Sequence, residues 1–326
     1  MKLPRRKFLG FAASAALLPA GRRLASAQSY PSRPVRVVVP FAPGGPTDIF
    51  ARHIVQKLSE QFGKQFYIEN VAGASGSIGT AQVAKAAPDG HTILFNVNSF
   101  AINPIFYDKV PYDPFRDFEP ITLAATNDVV FVLNPSVPAG TVAELVALIK
   151  AGRATYTFGS GGTGSVTHLV GAAFGLALGF DAVHVPYNGA GPMIAACVAG
   201  HIPMAFSSTP PAIGQISAGA LRAIAVTGKQ RAPSLPDVPT LVEAGYPETK
   251  GDQWVGAFAP AGTPKEIVAA LNREIARALA SPEIRERFAV LGFTPVGSSP
   301  DEFKALIRSD METWGKVIRA GNLRPE

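Results

Sequence analysis

Two glycine-rich segments carry the residue types best suited to holding an anion. The first, Phe41-Ala42-Pro43-Gly44-Gly45-Pro46-Thr47-Asp48, follows the β-branched run Val35–Pro40 and leads into a helical pattern. The second, Gly159-Ser160-Gly161-Gly162-Thr163-Gly164-Ser165, follows Thr155–Phe158 and opens a second helical pattern. The start of a helix presents N–H groups that have no intrahelical acceptor, at the positive end of the macrodipole. Glycines let the backbone approach an anion closely, and the hydroxyls of Thr47, Ser160, Thr163 and Ser165 add donors. In open α/β sheets such loops line the crevice at the carboxyl ends of the strands. One loop from each of two domains would clamp the two ends of one ligand, although each also fits a plain strand-to-helix turn.

Other chemistries fit less well. Gly159, Gly161 and Gly164 spell the dinucleotide fingerprint G-x-G-x-x-G, but the next strand ends Pro186-Tyr187-Asn188 without the acid that holds a ribose. Asp181 precedes that strand and so belongs to its other end. No G-x-S-x-G elbow, H-E-x-x-H pair or phosphate-binding G-x-x-x-x-G-K-[ST] loop occurs. His53, His91, His168, His184 and His201 include no pair at i, i+4, so no metal site and no cofactor are expected. His168 draws notice because it falls in the first turn of the helix after the second loop. Phe41, Tyr187 and Trp254 stand out among the aromatics, each at or beside a strand end. Cys197 is the only cysteine, which excludes an intramolecular disulfide, and its apolar surroundings suit a small core residue.

The elements that must position these loops alternate. Short β-branched runs at Val35–Pro40, Phe66–Glu69, Thr92–Phe95, Val129–Leu133, Thr155–Phe158, Ala182–Tyr187, Ile202–Phe206 and Leu221–Thr227 read as strands. Helical stretches lie between several of them, at Asp48–Gln61, Val142–Ala151, Val166–Leu178 and Gly191–Ala199. Such alternation indicates mainly parallel sheets with helices on both faces. From Pro264 to Arg319 the chain reads as almost wholly helical, with starts at Thr263-Pro264, Ser281-Pro282 and Ser299-Pro300.

Residues 1–27 differ in kind from the rest. Lys2, Arg5, Arg6 and Lys7 precede the apolar run Phe8–Ala20, and Ala25-Ser26-Ala27 supplies the small residues before a cut. This order predicts a secretory signal removed before Gln28. Arg5-Arg6-Lys7-Phe8-Leu9 partly matches the twin-arginine motif. The full chain has 30 basic and 24 acidic side chains, but residues 1–27 hold six basic ones and no acid. The mature chain is therefore formally neutral, and nothing draws it to nucleic acid. Residues 28–326 exceed what one core usually serves, so two domains are expected.

The run from Pro31 to Asp48, Pro-Ser-Arg-Pro-Val-Arg-Val-Val-Val-Pro-Phe-Ala-Pro-Gly-Gly-Pro-Thr-Asp, resembles the start of the Bug receptors. These are the extracytoplasmic solute-binding components of tripartite tricarboxylate transporters. The likeness continues through Ala86-Ala87-Pro88-Asp89-Gly90, Ala101-Ile102-Asn103-Pro104 and Val110-Pro111-Tyr112-Asp113-Pro114. It extends to His184-Val185-Pro186-Tyr187, Leu235-Pro236-Asp237-Val238-Pro239-Thr240 and Ala259-Pro260-Ala261-Gly262-Thr263-Pro264.

The resemblance implies a type II periplasmic-binding-protein fold: two doubly wound α/β domains with a ligand cleft between them. It implies one domain from residues 28–127 plus 250–326 and another from 128–249. It also implies a periplasmic monomer that is not an enzyme, binds a small organic carboxylate and hands it to integral-membrane transporter subunits or to a sensor. A periplasmic enzyme acting on such an acid is the alternative. The ligand-binding residues implied are Phe41, Pro43, Gly44, Gly45, Pro46, Thr47, Asp48, Asn98, Ser99, Ser160, Gly161, Gly164, Ser165, Thr167, His168, Tyr187 and Ser207. Ser207 stands where many relatives carry an acid, and Asn98 where they often carry Ser or Thr. Without that acid, a ligand lacking positive charge is expected.

Overall fold

The computed structural model describes residues 30–325 apart from Arg153, Asp181, Glu248 and Lys250. Residues 1–27, read above as a secretory signal, and Asp181 therefore lie outside the described residues. Ten strands follow in chain order: β1 (Val35–Val39), β2 (Phe66–Asn70), β3 (Thr92–Val97), β4 (Phe118–Leu133), β5 (Tyr156–Ser160), β6 (Ala182–Pro186), β7 (Met204–Ser208), β8 (Arg222–Val226), β9 (Asp252–Pro260) and β10 (Thr294–Pro295). The helices are α1 (Pro46–Phe62), α2 (Ser77–Ala84), α3 (Ser99–Phe106), α4 (Val142–Lys150), α5 (Val166–Leu178), α6 (Ala190–Val198), α7 (Thr209–Ser217), α8 (Lys265–Ala280), α9 (Pro282–Leu291) and α10 (Pro300–Ala320).

The strands form two sheets that share β4. Its residues Phe118–Asp128 pair antiparallel with β9, and Val129–Leu133 pair antiparallel with β7. The first sheet runs β2-β1-β3-β9-β4 and the second β6-β5-β7-β4-β8. Both follow one plan: three parallel strands ordered second, first, third, then an antiparallel strand, then a last one antiparallel to that. The segments after β1 and β5 are therefore equivalent, as are those after β3 and β7. β10 adds a short antiparallel pairing to β4.

Each sheet is buried on both faces, which explains strands that read as continuous apolar runs. Val35, Val37 and Val39 of β1 face one core with Phe50, Ile54 and Leu58 of α1, while Val38 faces another with Phe100 and Phe258. In the second sheet Phe131, Phe158 and Phe206 face α5, and Val130, Val132 and Ala205 face Met193 and Cys197 of α6. Cys197 is a buried free thiol. The last helix joins the two halves: Phe303 and Ile307 of α10 pack in a core of the first sheet, Trp314 and Ile318 in one of the second. Its start carries a capping box between Ser299 and Glu302, with Pro300 in the first turn.

Two strands depart from the sequence reading. β4 begins at Phe118, well before Val129, because its first part holds Pro120 and shifts register twice against β9. β9 holds Gly256 and two alanines, which weaken the strand signal, although every residue after Asp252 is buried. The C-terminal region is interrupted by β10, where Gly292 ends α9 with φ 78°.

Candidate functional site

The carboxyl ends of both sheets meet at one narrow cavity. It is lined by Phe41, Gly45, Pro46 and Thr47 after β1, Val97 and Ser99 at the end of β3, and Gly161 with Ser165–Thr167 after β5. Gly189 and Ala190 after β6, Ser208 at the end of β7 and Gln253 of β9 complete it. The equivalent loops of the two halves thus face one another across the space. Room for the centre of a water-sized sphere amounts to about 30 Å³, little more than a water or two requires. Anything larger needs the halves to part.

The first loop is held from behind. Asp48, 2% exposed, accepts from Gly44 N–H at 3.0 Å, from Arg52 Nε at 2.9 Å and Nη2 at 3.0 Å, and from Asn70 Nδ2 at 3.1 Å. Asn70 Nδ2 also donates to Phe41 O at 3.0 Å. Gly44 adopts φ 83°, a conformation that only glycine takes without strain. Asp48 therefore shapes the loop while its charge is balanced by Arg52. The helix start is left to Thr47, whose N–H has no intrahelical acceptor by its place in the first turn.

The second loop is braced in the same manner. Gly161 N–H donates to Thr167 Oγ1 at 3.0 Å, His168 N–H to Ser165 Oγ at 3.2 Å, and Gly164 N–H to His168 Nδ1 at 3.1 Å. Ser160 Oγ meets His184 Nε2 at 2.7 Å. The His168 and His184 rings stack with centroids 4.0 Å apart, a contact that their spacing in the chain gave no hint of. Burial holds both imidazoles neutral, His168 lowered to about 3 by desolvation and then by His184, and His184 lowered to about 4 by desolvation. Stacked face to face, these rings do not converge on a metal, and no group of metal-ligating residues occurs among the described residues.

Three buried polar atoms facing this region have no hydrogen-bond partner among the described residues: Thr47 Oγ1, Ser208 Oγ and Gln253 Oε1. Leaving such atoms unpaired costs about 1–3 kcal/mol each, so a guest that pairs with them is favoured. No lining residue has a titratable side chain.

Of the residues expected from sequence, Phe41, Gly45, Pro46, Thr47, Ser99, Gly161, Ser165 and Thr167 line the cavity. Pro43, Gly44, Asp48, Ser160, Gly164 and His168 form the framework behind them. Pro43 also abuts the second half, since a Cβ on Gly191 would lie 2.5 Å from Pro43 O. Three residues sit elsewhere. Asn98 Nδ2 donates to Asp310 Oδ2 at 3.0 Å and its Oδ1 accepts from Trp254 N–H at 2.9 Å, so its amide is already bonded. The Tyr187 ring packs toward the core beside Gly159 and the α6 side of the second sheet. Ser207 is fully buried and donates to Ser208 O at 2.9 Å, because the alternation of β7 turns the next residue, Ser208, to the cleft. Ser208, Gln253, Gly189 and Ala190 were not foreseen.

The tripartite tricarboxylate transporter family receptor model, TctC, matches residues 50–323. The solved periplasmic binding protein BugD is 33% identical, superposes with a TM-score of 0.88, and covers 91% of this chain and 100% of its own. R. palustris Rpa4515, solved with adipate, gives the same 33% identity and TM-score of 0.88, again over 91% of this chain and 100% of its own. MatC from Rhodopseudomonas palustris, with bound malate, is 33% identical with a TM-score of 0.83, over 89% of this chain and 100% of its own. The two-sheet architecture is the two-domain periplasmic-binding fold of these proteins.

Proposed function

The chain belongs to the tripartite tricarboxylate transporter receptor family, and on that premise we propose that it captures a small organic carboxylate between its two glycine loops. The supporting observation is the cavity itself: helix starts at Thr47 and Thr167 face each other, with unpaired buried atoms on Thr47, Ser208 and Gln253 between them. Donor groups aimed at one point, in a space without cationic side chains, suit an anion held by dipoles and hydrogen bonds. The absence of any titratable group in the lining favours binding over acid–base catalysis.

In this reading the chain is exported by residues 1–27, begins at Gln28 and works as a monomer in the periplasm. It delivers its ligand to integral-membrane transporter subunits. The moving units are residues 28–127 with 250–326 and residues 128–249, parted at the two crossings that flank Asp128 and Asp252. No described helix is long and apolar enough to cross a membrane.

A thermal-shift screen of the mature protein against mono-, di- and tricarboxylates and their amides tests the reading. A ligand at 100 times its Kd stabilises by about 2.7 kcal/mol. The expected result is a rise in Tm with at least one acid and none with its amide. Equal shifts with acid and amide would overturn it.

A further inference from the structure

The ends of the cleft differ in what they can hold. α1 and α5 keep N–H groups in their first turns, at Thr47, Asp48, Val166 and Thr167. α7 does not. It begins Thr209-Pro210-Pro211, so the second and third helical positions lack an N–H altogether. Ser208 occupies the N-cap of α7 with extended backbone (φ −61°, ψ 145°), where serine ordinarily accepts from one of those two positions. With prolines there it makes no cap, and its buried Oγ is without a partner.

Gln253 stands beside it. The residue is 5% exposed and lines the same cavity, and its amide makes no hydrogen bond to any described residue. Asn127, opposite it across β4 and β9, uses its Nδ2 on Asp128 O at 3.0 Å and so does not satisfy it. A glutamine amide offers both donors and an acceptor, and a serine hydroxyl offers both as well. A second carboxylate placed here would find no cation and none of the N–H donors that the second and third positions of α1 and α5 supply, and it could not donate to the Gln253 oxygen. A hydroxyl can donate to Gln253 Oε1 and accept from Ser208 Oγ.

We propose that Ser208 and Gln253 form a neutral subsite that reads a hydroxyl group, so that the ligand is a hydroxycarboxylate rather than its deoxy analogue. This rests on the carboxylate reading above, with the acid group at the α1 and α5 starts and the hydroxyl at the α7 and β9 side.

Isothermal titration with matched pairs tests it: malate against succinate, lactate against propionate, and 3-hydroxybutyrate against butyrate. At least one hydroxy acid should bind about tenfold or more tightly than its partner, as one lost buried hydrogen bond implies. In Gln253→Leu and in Ser208→Ala that ratio should fall to within about threefold. Equal affinity for both members of every pair that binds, or an unchanged ratio in both variants, would overturn the subsite and leave the carboxylate reading standing. Failure of every acid to bind would overturn both. The wild-type ratio needs no variant, so a misfolded mutant does not block the test.

Discussion

Ser75 Oγ donates to the Thr163 carbonyl at 2.5 Å, joining the segment after β2 to the loop after β5. Tyr107 OH donates to the same carbonyl at 2.7 Å. Ala74 and Ser75 both hold positive φ, 46° and 50°, and Asn103 Nδ2 donates to Ser75 O at 2.9 Å. Non-glycine residues in this region store strain that their surroundings must hold in place. The strained turn thus presents its hydroxyl across the cleft as part of a closed state.

Removing both donors should loosen that state. Each hydrogen bond contributes about 0.5–1.5 kcal/mol, so Ser75→Ala with Tyr107→Phe should shift the closed-to-open ratio by about tenfold. Small-angle scattering of the ligand-free protein should show a larger radius of gyration for the double variant. An unchanged radius would mean that closure rests on other contacts, such as Ala42 N–H to Asn188 O at 3.3 Å.

Asp128 and Asp252 face each other across β4 and β9 where the two sheets divide. Burial, with Asp252 beside it, pushes Asp128 up to about 6. A carboxyl raised above its unfolded value of 3.8 binds its proton more tightly in the fold, so stability falls as pH rises through that window. Asp128→Asn should therefore have a higher Tm than wild type at pH 7.5, and the difference should vanish near pH 4. A lower Tm for the variant at pH 7.5 would show that the charge is compensated.

The stacked histidines titrate in the opposite sense. Their lowered values mean that both are neutral at pH 6, and the stability they lend is lost only as pH falls from about 6.5 towards about 4 and 3. Imidazole nitrogen shifts by NMR should show no inflection for His168 or His184 between pH 5.5 and 8. An inflection near 6.5 for either would contradict the buried, braced loop.

Gly161 separates binding from folding. A Cβ there would meet Ala190 N and Thr167 Oγ1 at 3.6 Å, an ordinary contact, and its φ is not in the left-handed region. Gly161→Val should fold with little loss of Tm yet fill the cavity and weaken binding of the acid that gives the largest thermal shift by at least about tenfold, since added bulk in a packed space costs about 1–3 kcal/mol. Retained affinity would place the ligand elsewhere.

Both glycine loops were legible because their signals are local: a β-branched strand, glycines, then proline or serine at a helix start. Three helix starts near Pro264, Pro282 and Pro300 were legible for the same reason. What lay hidden depends on pairing. The first part of β4 and all of β9 are strands because partners claim their backbone, whatever Pro120 or Gly256 suggests. Gln253 reaches the cleft only through that pairing, and Ser208 rather than Ser207 through the register of β7 with β4. The His168–His184 stack arises from packing α5 on its sheet beside β6, which spacing along the chain does not encode.

The most direct test of the central claim is a crystal structure with the carboxylate that gives the largest thermal shift. One carboxylate group should sit within about 2.7–3.2 Å of the Thr47 and Thr167 N–H groups, between the two loops. An acid bound instead at the surface groove lined by Lys265 and Lys304, with the cleft unchanged, would contradict the account.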